Sequence, residues 1–442
     1  MRARRVCGLT LLAATGLGAQ DAGTPERWNV YFQATSIGQY HGALASPYSG
    51  PLSLISHPEA EASLTSTLFF GLRLGSNTQL YFDPEIAGGR GVSSTNGIAN
   101  FPNGEMPRVS TAMPKPYIAR LYVTQDFGFG SEREQLPSDE NQLAGSRPMM
   151  RYSVTVGRFT VTDFFDDNRY THDPRTQFMG WAIMYNGAWD YPADTRGYTW
   201  GWMHEFHTRR WSLRYASAAE PRTANGLRFD RRVLRDRGDV FEGEVHFRPA
   251  GHDGAVRVLS YLNHADAGTY GEALQRAAAS GGTPEVIATR QVGNLKYGFG
   301  INGEQEIRKD IGVFGRLGWN DGKTESFAFA VIDRLATAGI SVNGQRWKRP
   351  SDTVATALTV TGLSAVHALY LARGGLDFML GDGALRYGPE SVTESYYRAR
   401  VTDNLYATVD LQHVTNPGYN RDRGPVWIES LRLQLTLGHG SR

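Results

Sequence analysis

The most regular feature of the chain is a two-residue alternation of apolar and polar positions. In Leu431-Arg432-Leu433-Gln434-Leu435-Thr436-Leu437 every odd position is leucine and every even position is polar. Leu405, Ala407, Val409 and Leu411 alternate with Tyr406, Thr408, Asp410 and Gln412. The same pattern runs through Phe241–Arg248, Leu295–Asn302 and Tyr397–Thr402. A period of two places one set on each face of a β-strand. Similar segments lie near 28–36, 62–74, 78–85, 117–126, 151–162, 198–206, 209–217, 255–264, 309–320, 324–333 and 353–361, with a less regular one near 177–190. The spacing therefore predicts about 16 strands, with a range of 16 to 18. Two segments read as helix, Ser364 to Leu371 and Glu272 to Ala279, each followed by glycines that stop it.

A soluble sandwich or propeller also alternates, so the content of the faces has to decide. The polar face is rich in Arg, Glu and Asp, which suits a water-filled lumen and not a dry core. Aromatics cluster near strand ends (Trp28, Tyr117, Tyr152, Trp200, Trp202, Trp211, Trp319 and Trp427), as interfacial girdles require. Connections alternate between short turns, such as Asn320-Asp321-Gly322, and long loops, such as 86–116, 127–150 and 218–238. These features predict an all-β fold, a transmembrane antiparallel β-barrel. Short periplasmic turns and long extracellular loops complete it, with both helices as loop elements at a rim or inside the lumen.

Composition adds the compartment. Met1-Arg2-Ala3-Arg4-Arg5, the short apolar run from Val6 to Leu17 and the small residues Gly18 and Ala19 form a secretory signal, expected to be cut after Ala19. The run is shorter than the roughly 20 residues that a spanning helix needs. The single cysteine, Cys7, lies inside the signal, which leaves the mature protein without a thiol or disulfide. Removing residues 1–19 takes away Arg2, Arg4 and Arg5 and no acid. Lys plus Arg then falls from 46 to 43 against 44 Asp plus Glu, and the net charge from +2 to −1. Such a balance argues against nucleic acid as a partner. No linker or low-complexity seam divides the remainder, so residues 20–442 are expected to form one barrel domain.

Chemical motifs are few. Gly298-Phe299-Gly300-Ile301-Asn302-Gly303 spells G-x-G-x-x-G but sits in an alternating strand without the helix a nucleotide site needs. His204 and His207 are three apart in a strand, point to opposite faces and cannot share a metal. Asp163-Phe164-Phe165-Asp166-Asp167-Asn168 lacks the spacing and the Gly of a calcium loop. No nucleophile–base arrangement and no cofactor motif stands out, so a catalytic site, a metal and a cofactor are not expected. What remains is pore chemistry. Arg73, Tyr81, Asp83, Glu85, Arg120, Arg398, Arg400 and Asp410 fall on polar strand faces and are expected to line a lumen. Trp189, with Asn186, Asp190, Asp194 and Arg196 close by, offers a flat apolar ring beside polar groups, the mix that binds a small polar ligand such as a sugar.

The chain resembles the carbohydrate-selective porin family of the OprB type from about Trp28 to Leu437. The resemblance rests on Ser46-Pro47-Tyr48-Ser49-Gly50-Pro51, Leu80-Tyr81-Phe82-Asp83-Pro84-Glu85 and Phe101-Pro102-Asn103-Gly104-Glu105. It continues at Asn186-Gly187-Ala188-Trp189-Asp190-Tyr191-Pro192, Tyr370-Leu371-Ala372-Arg373-Gly374-Gly375 and Asp410-Leu411-Gln412-His413-Val414-Thr415-Asn416-Pro417-Gly418. It implies a barrel of about sixteen strands in the bacterial outer membrane, inward loops and passive sugar uptake. By position it puts the narrowing at the loop of Arg90 and Arg108 and at the segment from Trp189 to Arg196. One departure is the tail Gly438-His439-Gly440-Ser441-Arg442 after a last strand that ends on Leu437, where many such barrels end on an aromatic. The expected partners are small sugars, outer-membrane lipid and lipopolysaccharide, and the barrel assembly machinery during biogenesis. Three other readings compete: a general diffusion porin, a barrel enzyme and an adhesive barrel. Sugar block of single-channel current separates the first from a sugar channel, a rim nucleophile would mark the second, and a plugged lumen the third.

Overall fold

The computed structural model describes residues 25–106, 113–327 and 331–438. The signal segment 1–19, Arg108 and the tail 439–442 lie outside the described residues. Sixteen strands are present: β1 (Trp28–His41), β2 (Glu59–Gly75), β3 (Thr78–Gly89), β4 (Lys115–Leu136), β5 (Gly145–Phe159), β6 (Thr199–His207), β7 (Trp211–Ala219) and β8 (Arg237–Phe247) in the first half. The second half holds β9 (Gly254–Ala267), β10 (Gln291–Arg308), β11 (Ile311–Asn320), β12 (Arg334–Gly344), β13 (Arg349–Gly362), β14 (Glu390–Arg400), β15 (Leu405–Thr415) and β16 (Val426–Gly438). Each pairs antiparallel with its neighbours in sequence, and β1 pairs with β16 in the register Ile37↔Arg432, which closes the barrel. Closure satisfies the backbone of every strand and leaves no edge, the condition for crossing hydrocarbon with strands.

The faces are inverted relative to a soluble protein. On β8, Glu242 and Glu244 are 3% and 4% exposed, while Phe241 and Val245 on either side of them are 46% and 54% exposed. On β10, Leu295, Tyr297, Phe299 and Ile301 face out and Lys296 and Asn302 face in. A wet sandwich would reverse this. The outward apolar band, with Trp200, Trp202 and Trp211 on adjacent strands, is a lipid-facing surface. His204 belongs to it, stacked between Tyr152 and Tyr215, whereas His207 turns inward to Ser212. Tyr117 departs from the girdle expectation: its hydroxyl donates to the inward-facing Glu85.

Connections at one end are long, namely L1 (42–58), L2 (90–114), L3 (160–198), L4 (220–236), L5 (268–290), L6 (321–333), L7 (363–389) and L8 (416–425). Those at the other are short, from 2 residues at 309–310 to 8 at 137–144. Outer-membrane barrels keep their long loops outside and their short turns in the periplasm. Four details differ from the sequence reading. The described residues of the segment 324–333, namely 324–327 and 331–333, form no strand but lie in L6; the strand follows, as β12. Consequently Asn320-Asp321-Gly322 opens a long loop and is not a short turn. The irregular segment near 177–190 lies in L3 and contains one helical turn, α1 (Trp181–Met184). Residues 127–150 are mostly a strand extension, with only 137–144 forming the turn. Both helices are found in loops, as α2 (Tyr270–Ser280) and α3 (Ala365–Ala372). They pack together over the lumen, where His367 bridges Asp333 at 2.9 Å and Asp377 at 2.6 Å.

L3 is fastened to the inner wall all the way round. Asn302 of β10 donates to the Asp166 carbonyl and carboxylate, and Glu242 of β8 accepts from the Asp166 N–H at 2.7 Å. Glu394 of β14 accepts the Met179 and Gly180 N–H groups, and Arg432 of β16 donates to the Pro174 and Gln177 carbonyls. Gly300 and Gly318 face the loop because nothing larger fits: a Cβ on either would come within 2.1 Å of the Asn186 side chain. That is the use of the second glycine in the G-x-G-x-x-G spelling. L2 is held similarly by Glu390, which accepts from the Ala99 and Asn100 N–H groups at 2.9 and 2.7 Å.

Candidate functional site

With L2 and L3 tied inside, the lumen narrows against the wall formed by β3 and β4. Inward positions of these strands carry Tyr81, Asp83 and Glu85 and, opposite, Arg120. The residue that joins wall to loops is Arg175 of L3. Its Nη2 meets Glu85 of β3 at 2.8 Å and its Nε meets Glu105 of L2 at 2.7 Å. Burial works against the Arg175 charge, but Glu105 and Glu85 outweigh it and hold the guanidinium more firmly protonated than usual. Burial pushes the Glu105 carboxyl up, with Arg175 pulling it back. A second pair lies beside the first. Arg120 clamps Asp163 of L3 through two hydrogen bonds of 2.6 Å and reaches Asp83 at 3.3 Å. Bidentate carboxylate pairs of this kind fix geometry as well as charge.

The space left between these groups is a cavity of about 440 Å³. Its lining carries the charged groups Glu85, Glu105, Arg120, Asp163, Asp173, Arg175 and Arg196. The lining also carries the rings of Phe101, Phe164, Trp181, Tyr185, Tyr191 and Tyr198, the last of them lying against Arg120 and Glu85. Most of these rings are buried against one another, Phe101 and Trp181 stacking at 4.9 Å, but Phe164 and Tyr185 keep part of their surface open. Arg196 lies 4.1 Å over the Tyr117 ring. Tyr122, Asn141 and Phe164 border this cavity and also a larger vestibule of about 1190 Å³ below it. The vestibule is lined at the short-turn end by Arg147, Arg151, Arg209, Arg210, Arg214, Arg248 and Arg257 among carboxylates that include Glu134, Glu205, Glu244 and Glu304. Extracellular loops, a polar and aromatic narrowing and a charged vestibule thus follow one another along a single barrel.

The model of the carbohydrate-selective porin, OprB family, matches residues 61–437. The chain belongs to that family. Among solved structures, the high-pH form of Pseudomonas putida OprB is 16% identical over 93% of this chain and 94% of that one, with a TM-score of 0.69. Salmonella typhi OmpF in complex with daunomycin is 8% identical over 93% of this chain and 97% of that one, with a TM-score of 0.49. No curated protein sequence matches the chain. The likeness to Pseudomonas putida OprB supports the fold, a closed sixteen-stranded barrel, and membership of the porin family makes it an outer-membrane channel architecture rather than an enzyme's.

In this OprB-family chain the sequence-predicted residues divide. Glu85, Arg120 and Arg196 line the narrowing, Asp83 sits behind Arg120, and Tyr81 lines the vestibule. The loop of Arg90 does fold inward, but Arg90 is exposed at the end of β3 and is absent from the cavity lining; L2 contributes Phe101 and Glu105 instead. Arg108 lies outside the described residues. Trp189 is corrected most clearly. It is 2% exposed, packed edge-on against Phe165 and tilted against Tyr191, with no face open to a solute. Asn186 and Asp190 are buried with it: the Asn186 side chain fits against the wall glycines, and the Asp190 carboxylate accepts the Phe327 N–H. The open aromatic surface expected at Trp189 is offered elsewhere in L3, at Phe164 and Tyr185. Sequence reasoning missed Arg175, Glu105 and Asp163 as a set, because no local pattern marks a loop residue that finds its partner across the barrel.

Proposed function

We propose that this protein is a passive channel for small neutral sugars across the outer membrane. The observation that carries the reading is a cavity lining that combines part-open ring surface on Phe164 and Tyr185 with fixed guanidiniums and carboxylates on Arg120, Arg175, Glu85 and Glu105. A sugar presents apolar C–H faces and a rim of hydroxyls, and both kinds of surface are met at once. Glu85, Arg120 and Arg196 are the solute-facing members of the sequence-predicted set. Binding is weak by necessity, because a conducting site has to release what it holds. The outward apolar band is surrounded by outer-membrane lipid, with lipopolysaccharide at the long-loop end, and insertion uses the barrel assembly machinery.

The ring surface is the part of the reading that a general porin does not share. Replacing both rings, Phe164→Ala with Tyr185→Ala, removes contacts on the order of 1 kcal/mol each. Liposome swelling should then show the advantage of glucose over size-matched zwitterionic amino acids reduced about three- to tenfold, with salt conductance within about twofold of the parent. An unchanged preference would place sugar recognition elsewhere.

A further inference from the structure

The turn between β4 and β5 is on the periplasmic side, yet it does not lie flat at the rim. It folds up into the lumen and is braced there by its own bonds. Asp139 and Gln142 form a two-way backbone bridge, and Asn29 of β1 donates to the Gln142 carbonyl at 2.8 Å. The Tyr31 hydroxyl donates to Ser138 at 2.9 Å, and Leu143 is fully buried. At its tip Asn141, with a φ of 53°, turns its amide to Asp83 at 2.9 Å, behind the Arg120 clamp. Glu140, the neighbour of Asn141, lines the narrow cavity itself.

Glu140 differs from the other carboxylates there. Glu85 and Glu105 are both taken by Arg175, Asp163 is taken by Arg120, and Asp173 accepts the Arg175 N–H and the Thr176 hydroxyl within its own loop. The Glu140 side chain accepts no hydrogen bond and joins no ion pair among the described residues. It nevertheless sits in the field of Arg175 and Arg120, with Asp173 and Asp139 opposing. A carboxylate held on a braced turn, without a hydrogen-bond or ion-pair partner among the described residues and lining the cavity, has its acceptor sites available to whatever passes.

We propose that the periplasmic turn 137–144 forms the third wall of the narrowing and that Glu140 is a specificity-determining residue, accepting hydroxyl protons of neutral solutes and excluding anions. The proposal deepens the sugar-channel reading and rests on it. It adds an element from the opposite side of the membrane to the loops that shape the channel. The lining also has five carboxylates, with Glu140, against three guanidiniums, so removing this one charge should change selectivity measurably.

The test compares the parent, Glu140→Gln and Glu140→Asp in planar bilayers and in liposome swelling at pH 8. Burial pushes the Glu140 carboxyl up to about 7, so pH 8 keeps it charged. Since the side chain holds nothing else in place, both variants should insert and show the parent's heat-dependent gel mobility. For Glu140→Gln the K⁺/Cl⁻ permeability ratio should fall about two- to threefold and the gluconate/glucose swelling ratio rise by a similar factor, as loss of one near charge predicts. Glu140→Asp should stay close to the parent. Parent-like ratios in Glu140→Gln, or an equal change in Glu140→Asp, would overturn the assignment. The sugar reading fails separately, if the parent itself does not favour glucose over size-matched amino acids.

Discussion

Arg175→Ala should give a wider, less discriminating channel: single-channel conductance up several-fold and the preference for sugars over amino acids largely lost. One guanidinium joins three parts of the molecule, with Glu85 on the barrel wall, Glu105 on L2 and its own loop, L3. Truncation removes the link and leaves two buried carboxylates facing each other without a cation. Breaking a buried pair in this way costs about 3–5 kcal/mol. Neither carboxylate can stay where it is. Glu85 retains two donors on the wall, Thr67 and Tyr117, and Glu105 only the Thr65 hydroxyl, so Glu105 and the L2 segment that carries it are the parts that move. Arg175→Lys should be intermediate, since an ammonium keeps the charge but loses the fork that serves both partners. Conductance and swelling rates equal to the parent's in Arg175→Ala would mean that this bridge does not set the channel's width.

The second large effect is expected from Arg316→Met. Arg316 on β11 is fully buried and points into L3. Its Nε meets the Asp166 carboxylate at 3.0 Å, and its Nη atoms donate to the carbonyls of Ile183 at 2.7 Å, Thr171 at 2.8 Å and Asp166 at 3.1 Å. Four points of L3 backbone and side chain thus hang on one residue. Methionine fills similar volume but takes the cation from the buried Asp166 carboxylate and the guanidinium donors from three L3 carbonyls, with Asn302 and the Thr171 hydroxyl left as donors to Asp166 and Ile183, a loss of about 3–5 kcal/mol locally. The barrel ladder is untouched, so the variant should still fold and insert. L3 should become mobile: current traces should turn noisy, and trypsin added from the outside should cut at Arg169, Arg175 or Arg196, which the parent protects. A quiet, protease-resistant Arg316→Met channel would show that the remaining anchors at Asn302, Glu394 and Arg432 hold L3 without it.

These residues also mark how far the sequence can be read. The strands were legible because a barrel must present lipid on one face and a polar interior on the other, so the period of two persists from β1 to β16. It failed where a local accident matched the rule or tertiary context masked it. Residues 324–333 alternate well enough, yet Glu325, Ser326 and Phe327 are all buried in L6. The true strand, β12, was overlooked because its outward face offers small residues, Ala336 and Ala338, while Leu335 points inward under L3 and L6. The wall side of the narrowing, Asp83, Glu85 and Arg120, followed from strand parity alone. The loop side did not. Parity says nothing about L3, and a tryptophan in a polar loop reads the same whether it stacks on a solute or plugs the core, as Trp189 does. Arg175, Glu105 and Glu140 are separated by 35 or more positions along the chain, and only the folded barrel brings them to one cavity.

The central claim is that the paired ring and charge surfaces make this a sugar channel and not merely an open pore. Proteoliposome swelling with the unmodified protein tests it most directly, comparing neutral pentoses and hexoses with zwitterionic amino acids matched in size. The account predicts that the sugars enter several-fold faster and that they block salt current through single channels at millimolar or higher concentrations. Equal swelling rates at equal size, with no sugar block, would contradict it and leave a general diffusion pore.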